Sequence, residues 1–200
     1  QNVRKALAIA EAIAPCVLWL DEIEKAIGGH ASSAATDSGV TLGMVGTLLT
    51  WMQEFTGQVL VMATCNDYQK LPAEFTRAGR FDERFFVDLP SNDERLEIAT
   101  IHLRRYLEKD QAESFAQLLV PLTNRWTGAE IEQCVKSAAR RTRKHLTDGA
   151  LKEAAASIRP LAQTKGPEID ALRQWAHDTL RMANAAPIMI PHSGRKLRHA

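Results

Sequence analysis

Neither sign of charge prevails in this chain: 25 Lys+Arg stand against 24 Asp+Glu in 200 residues, a formal net charge of +1. No global field therefore recruits nucleic acid or an anionic membrane surface. The apolar runs are all far shorter than the roughly 20 residues a spanning helix needs, so no membrane partner is expected. Cysteine is scarce. Cys16, Cys65 and Cys134 stand in unrelated segments with no Cys-x-x-Cys pair, which excludes a disulfide framework and reads as buried thiols in a reducing compartment. The six histidines show no ligand spacing, and the separation of His192 and His199 suits no zinc motif. The basic tail around Arg195, Lys196 and Arg198 lacks aromatic residues; base stacking would need them, so a solvated end is the plainer reading and nucleic acid is not an expected partner. Also missing is any Gly-Lys dipeptide. A Gly-x-x-x-x-Gly-Lys-[Ser/Thr] loop, whose backbone N–H groups wrap phosphates, is thus absent from these residues.

What is present begins with Val17-Leu18-Trp19-Leu20-Asp21-Glu22. Four apolar residues followed by two carboxylates read as a fully buried parallel strand that delivers two acids to the carboxyl edge of a sheet, where open α/β folds bind ligands. In phosphate chemistry such a pair divides the work, Asp21 helping to hold Mg²⁺ through water and Glu22 polarising the attacking water. This is a Walker B pattern. The bland alternative is that Asp21 and Glu22 merely favour the N-terminus of the next helix. A second buried-strand run, Val59 to Thr64, ends in Cys65-Asn66-Asp67. Asn66 at that edge can hydrogen-bond a water or a phosphate oxygen, or simply close the strand in an Asx turn. Next, Pro72 is placed to open a short helix and Gly79 to close it, with Arg77 and Arg80 around the closure. Guanidinium forks held at a rigid turn suit the charge on a transferring phosphoryl group, although paired surface arginines are usually just solvated.

The order of these elements resembles the second region of homology of AAA ATPases of the protein-remodelling branch: a Walker B pair, a strand ending in Asn, then Arg77-x-Gly79-Arg80-Phe81-Asp82. Trp126-Thr127-Gly128-Ala129-Glu130 is similar to the Gly-Ala-Glu element that opens the third lid helix of that family. Residues 48–54 and 169–176 look most like the cyanobacterial and plastid open-reading-frame ATPases related to the stage-five sporulation group. The resemblance implies ATP and Mg²⁺ as cofactors and Asp21 and Glu22 as the Walker B acids, with Asp21 on the metal side. It further implies Asn66 as sensor 1, Arg77 and Arg80 as fingers reaching a neighbouring subunit's nucleotide, and Gly128 and Ala129 as lid contacts to the nucleotide. The implied whole is a homo-oligomeric ring, a hexamer in this family, that hydrolyses ATP to remodel a protein partner in the cytoplasm or plastid stroma.

The missing phosphate loop, and an opening without Met on an amphipathic helix carrying Val3, Leu7, Ala10 and Ile13, lead to the expectation of a fragment that begins inside the ATPase module and is inactive alone. The competing function class is a nucleotide-independent assembly or regulatory module. The expected fold is α/β: part of a P-loop-type parallel sheet with flanking helices over residues 1–90, a helical lid over 91–160, and a C-terminal helix with the basic tail over 161–200. Helices are expected at 1–14, 41–56 and 168–183 and strands at 16–20, 58–64 and 84–88, with Gly166-Pro167 as a break and Ser91 capping the first lid helix. The segment between Gly28 and Gly39 has no apolar residue larger than Ala and reads as a pore-facing loop by resemblance or as a passive linker. The Arg or Lys that the family carries soon after this loop is replaced by Val40-Thr41-Leu42-Gly43-Met44.

Overall fold

Residues alternate between helix and strand up to Glu83 and are almost wholly helical beyond it, and the chain divides at that point into two compact units, 1–83 and 84–200. The computed structural model describes residues 2–28, 38–68, 71–77 and 79–183. Residues 29–37, in the segment expected as a pore-facing loop or passive linker, and the basic tail from 184 lie outside the described residues.

In the first unit α1 (Asn2–Ala12) leads into β1 (Cys16–Leu20). α2 (Ile23–Gly28) and α3 (Ser38–Glu54) then carry the chain over to β2 (Val59–Ala63). β1 and β2 pair in parallel, with Cys16 beside Val59 and Leu20 beside Ala63. Two parallel strands need a crossover, and the helices supply it. Val45, Leu48 and Leu49 of α3 pack with Leu20, Ile23 and Ala63, and the short α4 (Ala73–Thr76) sends Phe75 into the same cluster. α1 is tied to α3 where Trp51 Nε1 donates to Glu11 Oε1 at 2.6 Å.

The strands are not fully buried, contrary to their reading as continuous apolar runs. Exposure alternates along both, and Val17, Trp19, Leu60 and Met62 lie 57, 56, 59 and 43% exposed. The register places these four on one face of the pair. The described helices of this unit cover the opposite face. An unbroken apolar sequence records that both faces suit burial, and each face becomes buried only where something packs on it.

The second unit is built on α5 (Asn92–Leu103), α6 (Lys109–Leu119), α7 (Gly128–Arg141) and α8 (Asp148–Ser157). α5 and α7 each begin with a complete capping box, Ser91 with Glu94 and Thr127 with Glu130. In each, the cap hydroxyl accepts an orphan N–H while the third-residue carboxylate returns to the cap's own N–H. Leu103, Leu119, Ile131, Val135 and Leu151 are fully enclosed between these helices, so the apolar faces of the four helices become one core.

Beyond them α9 (Leu161–Thr164) and α10 (Gly166–Thr179) follow. Gly166 and Pro167 separate these two helices by opening α10, where the missing N–H of Pro167 costs nothing. The helix expected to reach 183 stops at Thr179, and the chain turns into β4 (Arg181–Met182), which pairs in parallel with β3 (Phe85–Phe86). The strand expected at 84–88 is thus shortened, and its partner is β4, within the second unit. Arg173 reinforces this pairing, with Nη2 2.8 Å from the Asp88 carboxylate.

Candidate functional site

The adjacent ends of β1 and β2 place Asp21, Glu22, Thr64 and Asn66 together. The Leu20 carbonyl accepts from the Thr64 N–H at 2.9 Å, and the Thr64 carbonyl accepts from the Ile23 N–H at 3.0 Å. These bonds extend main-chain pairing past the end of the ladder and bend the chain at Asp21 and Glu22. Glu22 takes a left-handed backbone, with φ 49°, a conformation uncommon for a non-glycine residue. The Thr64 hydroxyl completes the junction, donating to Asp21 Oδ1 at 2.5 Å while accepting the Glu22 N–H at 2.9 Å.

The Glu22 carboxylate is engaged on both oxygens. Asn66 Nδ2 donates to Oε1 at 2.9 Å and Lys25 Nζ to Oε2 at 2.6 Å. Glu22 remains 39% exposed at its side chain, open to water yet held in direction. Its hydrogen bond and charge raise the Lys25 ammonium above its ordinary value. A carboxylate placed only to favour a helix start would turn back to the first free N–H groups. Glu22 instead faces Asn66 across the strand pair, which weighs against the helix-start alternative.

The acids outside this pair behave differently. Glu24, in the first turn of α2, is 5% exposed, with Oε2 lacking a hydrogen-bond partner among the described residues. Burial pushes the nearby Cys65 thiol up to about 11, against a hydrogen bond with the Asp67 backbone that lowers it, while the Glu24 charge raises it further. Cys134, inside the helical unit, is likewise pushed up to about 11 by burial. Cys65 and Cys134 are therefore protonated packing residues at neutral pH, and neither is an activated nucleophile.

Arg77 and Arg80 lie on the turn that follows α4. Arg77 ends the helix in extended conformation, and Gly79 reverses the chain with φ 85°. Phe75 before them and Phe81 after them stack at 6.3 Å between centroids and pack in the core that holds Ile23 and Leu49. The turn is thus pinned by a buried ring at one end and a partly buried ring at the other, while Arg77 stays exposed. Neither arginine forms an ion pair among the described residues, so no described carboxylate neutralises them. Gly128 and Ala129 occupy the first turn of α7, where Thr127 caps the helix and Glu130 Oε1 also accepts the Leu161 N–H at 2.6 Å. They belong to the second unit, whereas Asp21 and Glu22 belong to the first.

The sequence reading missed Thr64 and Lys25. Lys25 sits three residues after Glu22, the spacing of a helical ion pair. Thr64 was legible only as the last residue of a strand. As ligand chemistry, a carboxylate at a solvent-facing edge, with one oxygen left beyond its bond to Thr64, matches a hard, water-rich cation such as Mg²⁺. No phosphate-wrapping loop stands among the described residues.

A family model described as the ATPase family associated with various cellular activities (AAA) matches residues 1–89. The uncharacterized AAA domain-containing protein ycf46 of Pyropia yezoensis is 39% identical over 181 residues, which is 88% of this chain and 36% of that protein. The chain therefore spans little more than a third of that relative's length. Among solved structures, the FIGL-1 AAA domain superposes over 89% of this chain and 62% of its own, with a TM-score of 0.68 at 22% identity. The same domain in complex with ADP gives a TM-score of 0.63. At that identity the likeness shows the fold.

Proposed function

Because the chain carries an AAA ATPase domain, we propose that it is part of an ATP-hydrolysing subunit that binds Mg-ATP at the carboxyl edge of its parallel sheet and works as a ring on a protein partner. The observation that carries this reading is the Glu22–Asn66 contact, a carboxylate aimed across the sheet edge by an amide beside a second acid bonded to Thr64. In this scheme the Glu22 carboxylate accepts the proton of an attacking water, and Asn66 keeps it pointed at that water. Asp21 would hold the metal through water. Mg²⁺, when bound, would neutralise charge on the phosphate oxygens.

Arg77 and Arg80, exposed or half-exposed on a turn that Phe75 and Phe81 anchor, suit a phosphate presented by a neighbouring subunit. Gly128 and Ala129 are assigned to the lid's contact with the nucleotide, in a base of residues 1–90, a lid of 91–160 and a C-terminal segment of 161–200. The ring, the protein partner and a cytoplasmic or stromal location rest on the family resemblance. The narrower kinship with the stage-five sporulation group rests on residues 48–54 and 169–176. No helix among the described residues is long and apolar enough to cross a membrane.

Full-length protein carrying Glu22→Gln tests the reading. The amide keeps the shape but loses the base, so ATP binding should persist while hydrolysis falls by about two to four orders of magnitude. Wild-type protein that neither binds nor hydrolyses Mg-ATP would leave the nucleotide-independent module as the better account.

A further inference from the structure

We propose that Thr64 is the positioning residue of the acid pair: one hydroxyl fixes the side chain of Asp21 and holds the Glu22 backbone in the left-handed turn that aims its carboxylate at Asn66. The proposal rests on the reading of Asp21 and Glu22 as the acids of an ATPase, and it assigns them a common control.

A hydroxyl carries one proton and two acceptor positions. An ionised carboxylate is acceptor-only, so the 2.5 Å contact to Asp21 Oδ1 commits the Thr64 proton to Asp21. The oxygen is then left as an acceptor, and it takes the Glu22 N–H at 2.9 Å. With its proton committed in this way, the hydroxyl leaves Asp21 only its other oxygen free of Thr64, and that is the oxygen a hydrated cation would meet.

The backbone adds the second half. Thr64 is also bonded through its N–H to the Leu20 carbonyl and through its carbonyl to the Ile23 N–H. Residues on both sides of the acid pair are thereby tied to a single residue of the other strand. A non-glycine φ of 49° at Glu22 persists only where its surroundings over-determine it. Thr64 provides that over-determination, and the direction of the Glu22 side chain toward Asn66 follows from it.

A threonine chosen only for strand propensity would be replaced without loss by valine, which has the same shape and an equal or better preference for strands. The geometry assigns the hydroxyl instead.

Thr64→Val and Thr64→Ser in the full-length protein separate these roles. In the valine variant the Glu22 amide loses its acceptor, and its hydrogen exchange, read by NMR, should accelerate about tenfold. The Thr64 and Ile23 amides, bonded to main-chain carbonyls, should exchange as before. At saturating Mg-ATP, kcat should fall about tenfold to a hundredfold with KM within about threefold of wild type, the signature of misdirected groups with binding intact. The Mg²⁺ concentration for half-maximal rate should rise. Thr64→Ser, which keeps the hydroxyl, should restore both exchange and kcat to within about threefold.

A valine variant with wild-type kcat and Mg²⁺ dependence overturns the proposal, as does a serine variant as impaired as the valine one. If wild-type protein shows no turnover, the ATPase reading falls, and exchange at Glu22 alone decides: unchanged protection in the valine variant overturns the role of Thr64, and lost protection restored by serine upholds it.

Discussion

Asn66 Nδ2 lies 2.9 Å from Glu22 Oε1, joining the residue that ends one strand's apolar run to the acid that ends the other. The bond is possible because β1 and β2 run parallel and in register to their last residues, with Leu20 opposite Ala63. A carboxylate so held keeps its direction while exposed to water, the condition a water-activating base needs.

Removing the amide tests how much that direction matters. Asn66→Ala leaves Glu22 paired with Lys25 alone, so ATP binding should change little while steady-state hydrolysis falls about tenfold to a hundredfold. A variant with normal turnover would show that Lys25 suffices to orient the acid.

The helical unit should depend on the enclosed residues and caps identified above. Leu151 is fully enclosed, and Leu151→Ala should lower the stability of this unit by about 2–5 kcal/mol in chemical denaturation. Thr127 accepts the Glu130 N–H at 3.3 Å as half of a capping box, and Thr127→Ala should cost about 0.5–2 kcal/mol. Leu172 is 37% exposed, and Leu172→Ala should fall within about 0.5 kcal/mol of wild type.

Acid should weaken the same unit through His102. Burial lowers its pKa from the ordinary 6.5 by favouring the neutral ring, against the attraction of Glu132. Its Nδ1 stands 3.6 Å from Glu132 Oε1, too far for a hydrogen bond. As pH drops below 6.5 the unfolded chain takes up the proton first. The stability His102 contributes is therefore complete above that value and is lost as pH falls toward and through the lower folded value. Denaturation midpoints compared at roughly pH 7.5 and 5 should fall further for wild type than for His102→Gln. An equal fall would place the acid sensitivity elsewhere.

Much of this architecture was legible because it is written locally. The runs at 17–20 and 59–63 are apolar with sharp polar ends, and they form β1 and β2 almost to the residue. Ser91 with Glu94 spells its capping box within four consecutive residues, and the spacings of Leu103, Ile131 and Val135 mark helix faces that become core. Features set by distant neighbours were not legible. β3 and β4 are too short to carry a period, and Phe85 pairs with Arg181 only because the whole second unit folds between them. The exposure of Trp19 depends on what packs beside the strand. At the candidate site, Asp21, Glu22 and Asn66 announced themselves by residue type at strand ends. Thr64 did not, because its meaning lies in a cross-strand hydroxyl that register alone brings to Asp21.

The most direct test of the ring account is subunit mixing. Arg77 and Arg80 sit on an anchored turn and enter no ion pair among the described residues, so the account has them act on a neighbour's nucleotide. Subunits carrying Arg77→Ala and Arg80→Ala should bind ATP and form inactive homogeneous rings, since a finger supplied in trans is worth about 10³–10⁵ in rate. Mixed with Glu22→Gln subunits, and with exchange confirmed, they should regain ATPase activity at interfaces where an intact Glu22 meets an intact arginine pair, with a maximum at intermediate mixing ratios. Activity that never exceeds the sum of the two parents would contradict the account and leave the arginines as surface charges.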